Sequence, residues 1–123
     1  MSQDIIADVL NEVMSAKKAR KEHVVLQKSS KLLIKVLESM KQYGYIDYET
    51  SDGKLKISLK ELNECKAIKP RYNADIKKID KYARRFLPAR NFGYILISTS
   101  KGLMTHYEAQ ENKIGGCLIA YFY

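Results

Sequence analysis

The 123-residue sequence has no tryptophan, two cysteines, two histidines and two prolines. Two cysteines, Cys65 and Cys117, cannot form a disulfide framework for a chain this long. A reduced, intracellular setting is therefore expected, with both thiols read as small buried apolar groups. No apolar run nears the roughly 18 residues of a transmembrane span. Met1-Ser2-Gln3-Asp4 leads no basic segment into an apolar stretch, so no secretory signal is expected. Metal-site spacings such as C-x-x-C and H-E-x-x-H are missing. So are the Gly-rich phosphate cradles and the G-x-S-x-G nucleophile elbow. Pairing of His106 with Cys117 or Ser100 has no local support. No catalytic residue, metal ligand or cofactor is expected, and an enzyme is not the reading.

Acidic residues are the other shortage, at 14 Asp+Glu against 22 Lys+Arg, for a formal net charge of +8. At 46% hydrophobic and 29% charged, the chain is too apolar for a disordered polycation. Its length suits one domain or two small lobes. The surplus sits almost wholly in residues 66–90, with nine Lys/Arg against two Asp/Glu. A smaller knot is Lys17-Lys18-Ala19-Arg20-Lys21. Such blocks are either solvated faces or surfaces for a polyanion, nucleic acid first and anionic membrane second.

Apolar periodicity predicts a helix capped by Asp4 and striped from Ile5 through Met14, and a second capped by Ser29 or Ser30 and closed at Gly44. His23–Leu26 reads as a short β-rich run and Tyr45–Tyr48 as a strand. Ser51-Asp52-Gly53 is a hairpin turn signal, followed by a strand alternating at Leu55, Ile57 and Leu59. In the second half, Ile68–Tyr72 is extended around Pro70. Asn73 is read as the cap of a helix over 74–86, with apolar Ile76, Ile79, Ala83 and Phe86 and a cationic remainder of Lys77, Lys78, Lys81, Arg84 and Arg85. A strand over Phe92–Ile97, a polar loop Ser98–Gly102 and a capping box from Thr105 to Glu108 follow. A Gly115-Gly116 turn and a terminal strand close the chain. The first half therefore reads as α-β-α-β-β.

Ser98, Thr99 and Ser100 place three hydroxyls in a row beside Lys101 and Gly102. Each hydroxyl both donates and accepts, and Gly102 permits a close backbone approach. Taken alone, the loop is either an ordinary polar turn or a surface for 2′-hydroxyls, phosphates and base edges. Tyr72, among Lys69, Pro70 and Arg71, is either a base-stacking ring or a packing one. A membrane-surface reading needs a broad apolar face, and the stripe of the 74–86 helix is better used in a core.

Ile68–Tyr72, the run Leu87-Pro88-Ala89-Arg90-Asn91-Phe92-Gly93-Tyr94, Ser98–Thr105, Glu108-Ala109 and Gly115-Gly116 occur in this order. The order and the S-T-S-x-G-x-M-T string resemble the small-subunit ribosomal protein eight family over the whole chain. The 74–86 helix and L-P-x-R-x-F-G-Y resemble its archaeal and eukaryotic cytosolic branch. The resemblance implies an α+β fold in two lobes, 1–62 as α-β-α-β-β and 63–123 as mainly antiparallel β with short helices, and a structural, monomeric protein of the cytoplasmic ribosome. It would bind an irregular stem in the central domain of small-subunit rRNA, help assembly, and touch neighbouring ribosomal proteins but no membrane. It implies RNA contact by Ser98, Thr99, Ser100, Lys101 and Gly102, supported by Thr105, Glu108, Gly115 and Gly116. Lys69, Arg71, Tyr72, Lys77, Lys81, Arg84 and Arg85 are read as further RNA-facing residues. Lys31 joins them, within a Lys28–Lys31 turn where the family usually has a proline entry. Cys117 stands where a charged residue is commoner.

Overall fold

The computed structural model describes residues 5–26, 30–68, 72–89 and 92–123. The fold is α+β with antiparallel sheets, as predicted, and the chain divides into two compact units, Met1–Cys65 and Lys66–Tyr123.

In the first unit, α1 (Ile5–Lys18) buries Ile6, Val9, Leu10 and Val13, and α2 (Lys31–Gln42) buries Leu33, Val36, Leu37 and Met40. These stripes are the apolar periodicity of the sequence laid onto two helices. Between them runs β1 (His23–Leu26), and β2 (Ile46–Ser51) and β3 (Lys54–Leu59) follow, giving an antiparallel sheet in the order β1-β3-β2. Ser30 caps α2, its Oγ accepting the Leu33 N–H at 3.1 Å. Gly44, at φ +83, ends it while the Tyr45 N–H donates to the Met40 carbonyl. That is the left-handed helix stop which glycine favours. Asp52 and Gly53 both have positive φ, the geometry of a type I′ hairpin turn. Asp4 and Ser29, the other proposed caps, lie outside the described residues.

The second unit holds β4 (Cys65–Ala67), β5 (Asn73–Ala74), α3 (Ile76–Phe86), β6 (Tyr94–Thr99), β7 (Gly102–Thr105), α4 (His106–Glu111) and β8 (Gly116–Phe122). Its strands run β4-β8-β6-β7, with β5 also on β8. Ile68, Ala74, Ile79, Leu87, Ile95, Ile97, Ala109 and Leu118 form the core. A bulge places Ile119 opposite no residue of β6, between the Leu96–Ala120 and Ile97–Leu118 pairs.

Three local expectations change. Asp75, not Asn73, caps α3, with its Oδ1 accepting the Lys78 N–H at 3.0 Å, while Asn73 pairs with Cys117 in β5. Ser98 and Thr99 continue β6 instead of starting a loop, and β7 intervenes before α4. Cross-strand hydrogen bonds outweigh the weak strand preference of serine there. Ile76 is 41% exposed instead of joining the core. It is the first residue of α3, and of the helix's apolar residues only Ile79 is fully buried.

Candidate RNA interface

The register of three strands builds one groove in the second unit. Cys117 lies opposite both Asn73 of β5 and Ser98 of β6, and Gly116 lies opposite Ala74. The start of β8 is therefore held between the short β5 and the end of β6. A groove of about 900 Å³ opens there. Asn73 to Lys78 form one wall, Ser98, Thr99 and Ser100 another, and Gly115 to Cys117 its third side.

Both glycines are required by close approach. A Cβ on Gly116 would stand 2.3 Å from the Ser98 carbonyl oxygen, and one on Gly115 would stand 2.5 Å from that of Ala74. Any side chain at either position pushes strands apart at the base of the groove.

The three hydroxyls of the row differ. The Thr99 Oγ1 donates to the Gly102 carbonyl at 2.8 Å and accepts the Lys101 N–H at 3.1 Å. The hydroxyls of Ser98 and Ser100 have no hydrogen-bond partner among the described residues. Ser98 is half-buried and Ser100 exposed, so both keep donor and acceptor capacity.

Cations stand at the groove on the first turn of α3. Lys77 and Lys78 line it and are exposed, with neither in an ion pair among the described residues. The carboxylate of Asp75 is also present, turned to the helix as its cap. The surface thus offers positive charge, free hydroxyls and the amide of Asn73 side by side. Oxygen-rich anions with hydroxyl groups suit it. Among the described residues no three His, Cys, Asp or Glu side chains are grouped to hold a metal.

Other sequence-picked residues lie elsewhere. Lys81 is exposed further along α3, and Arg84 pairs with Asp80 at 3.0 Å. Arg85 lies over the rings of Tyr72 and Phe86, at 5.6 and 5.5 Å. Tyr72 stacks on Tyr82 at 5.4 Å and stands in an aromatic ladder on the core. Lys101 is exposed at the tip of the β6–β7 turn, and Gly102 takes φ +110 just after it. Lys31 is exposed at the start of α2 in the first unit. Lys69 and Arg71 lie outside the described residues.

Thr105 and Glu108 form the capping box of α4: the Glu108 N–H donates to Thr105 Oγ1 at 3.2 Å, and Glu108 Oε1 accepts the Thr105 N–H at 3.4 Å. They fix the β7–α4 junction. His106 follows, 4% exposed, its Nδ1 accepting the Ile95 N–H at 3.1 Å. Burial pushes its pKa down to about 4, against the opposing pull of Asp80, so the ring is neutral near pH 7, with its Nδ1 committed to the Ile95 amide. Cys65 is buried, with its thiol pushed up to about 12 by desolvation. Cys117 is half-buried and lines the groove, which corrects the expectation of a buried thiol, since the glycines before it keep the strand start open.

Asn73, Ile76 and Cys117 line the groove although the sequence alone reads them as a helix cap, part of an apolar stripe and a buried thiol; Lys78 it reads with Lys77 on the cationic face of the 74–86 helix. The signal for Cys117 was its position directly after Gly-Gly.

A family model for ribosomal protein S8 matches residues 4–123. The chain belongs to the ribosomal protein S8 family. It is 44% identical over 129 residues to the small ribosomal subunit protein uS8 of Nanoarchaeum equitans, covering 100% of both chains. It is 40% identical to uS8B of Saccharomyces cerevisiae, and 39% identical to uS8 of Neurospora crassa. Each of these two matches spans 97% of this chain and 96% of the relative. The S8 family is structural and non-enzymatic. Its archaeal and fungal relatives agree with the branch the sequence resembles.

Proposed function

We propose that this chain is a structural constituent of the cytoplasmic small ribosomal subunit. It binds an irregular stem in the central domain of small-subunit rRNA through the β5–β6–β8 groove, and so helps the subunit assemble. The observation that carries the reading is the meeting, in one groove, of two serine hydroxyls and two lysines that have no partner among the described residues.

A-form RNA displays 2′-hydroxyls in a shallow minor groove and hides base edges in a deep major groove. Hydroxyls and an amide match that surface better than an arginine fork aimed at guanine. Lys77, Lys78 and Lys81 supply attraction to phosphates, which dominates affinity and weakens steeply with salt. Ser98 and Ser100 supply choice of site, each hydrogen bond contributing about 0.5–1.5 kcal/mol net. Neighbouring ribosomal proteins cover other surfaces of the monomer.

A competition gel shift tests the reading. The irregular stem should be preferred over its fully base-paired variant at physiological salt. Equal binding of the two removes the assignment of the groove to an irregular site.

A further inference from the structure

We propose that Thr99 is a positioning residue of this interface, whereas Ser98 and Ser100 make the RNA contacts; this rests on the function proposed above. The three hydroxyls look equivalent in sequence, but their hydrogen bonds separate them. A hydroxyl has one proton to donate and two lone pairs. The Thr99 proton goes to the Gly102 carbonyl and one lone pair takes the Lys101 N–H. What remains is a single acceptor site, so Thr99 has no proton left to donate to a phosphate or base-edge oxygen, whereas Ser98 and Ser100 keep theirs.

The turn explains the commitment. Thr99 pairs with Gly102, leaving Ser100 and Lys101 as the two residues between the strands. Neither takes positive φ, and the left-handed step falls on Gly102. The turn therefore is not the I′ type, in which both central residues are left-handed and the strands close without help. The side chain of Thr99 ties both ends of the turn instead. Ser100 rides on that turn, and Ser98 sits one residue before the tie. Releasing Thr99 frees Ser100 first and then Ser98, blurring two donors whose value depends on fixed direction.

The test uses the full chain with Thr99→Val, which keeps the shape and drops the hydroxyl, and Thr99→Ser, which keeps both hydrogen bonds. Affinities for the irregular and fully paired stems are measured at one salt concentration and across salt, and Lys101 amide exchange is followed by NMR in the free protein. Thr99→Val should speed Lys101 exchange, lower the preference for the irregular stem about 3–10-fold, and leave the salt slope unchanged. Thr99→Ser should restore exchange and preference together. Adding Ser98→Ala and Ser100→Ala to Thr99→Val should cost less than adding them to the wild type. Lost preference with Lys101 exchange unchanged would make Thr99 a direct contact and overturn the proposal. So would faster exchange with full preference retained. If Ser98→Ala/Ser100→Ala alone leaves the preference intact, the RNA reading of the groove fails, and the proposal with it. If that variant loses the preference and Thr99→Val does not, the proposal alone fails.

Discussion

Gly116→Ala is the most demanding perturbation because it adds one methyl group at a point with no room. The new Cβ would meet the Ser98 carbonyl oxygen at 2.3 Å and Ile97 Cγ2 at 2.9 Å, where ordinary contact starts near 3.4 Å. The first neighbour is backbone in a paired strand and cannot swing aside as a side chain would. Relief needs β6 and β8 to part by about 1 Å at the Ser98–Cys117 pair. Overpacking of this kind costs about 1–3 kcal/mol, and Ser98 is the residue displaced. With one or two of its hydroxyl contacts spoiled at about 1 kcal/mol each, affinity for the irregular stem should fall about 5–30-fold. The fully paired stem, held by phosphates, should lose little. Urea denaturation reads the first quantity, and a gel shift at a temperature where the variant stays folded reads the second. Gly53→Ala is the control. It stands at φ +74 with nothing within 4 Å of a Cβ, so it strains a turn without touching the groove. A Gly116→Ala protein with wild-type stability and wild-type preference would refute the close-approach argument.

Other expectations are simpler. Lys77→Glu with Lys81→Glu should flatten the salt dependence of RNA binding by roughly one unit of slope per lost contact; an unaltered slope would turn this face of α3 away from RNA. Between pH 6.5 and 4 the unfolded chain binds a proton at His106 that the folded one refuses, so stability should be full above about 6.5 and fall as pH drops toward 4, by about 3 kcal/mol. His106→Gln should remove that segment of the pH profile, and a profile identical to wild type would contradict it. Glu108→Gln keeps a side-chain acceptor for the Thr105 N–H and should be mild, whereas Thr105→Ala should cost about 0.5–2 kcal/mol in thermal or urea melts. Equal melts for the two would remove the capping role.

The first unit was the more legible half. Its helices carry full apolar stripes, and Ser30, Gly44 and Asp52-Gly53 mark its caps and turn with residues whose local chemistry suffices. The second unit hides more because its strands are short and answer to partners far along the chain. β5 is two residues long and exists through its pairing with Cys117 and Gly116, which no local pattern announces. Ser98 and Thr99 read as loop because their side chains are polar, yet β7 and β8 recruit them into the sheet. The candidate site was half visible: the hydroxyl row and the glycine pair stood out as motifs. That Asn73 and Cys117 share a groove follows from register, and the unequal hydrogen bonding of the three hydroxyls is something the sequence does not display.

The central claim is that Ser98 and Ser100 choose the RNA. A Ser98→Ala/Ser100→Ala chain, competed between the irregular stem and its perfectly paired counterpart at fixed physiological salt, measures that choice directly. The account predicts that the affinity ratio collapses toward unity while binding to the paired stem stays near wild type. A ratio equal to that of the unaltered protein would contradict it.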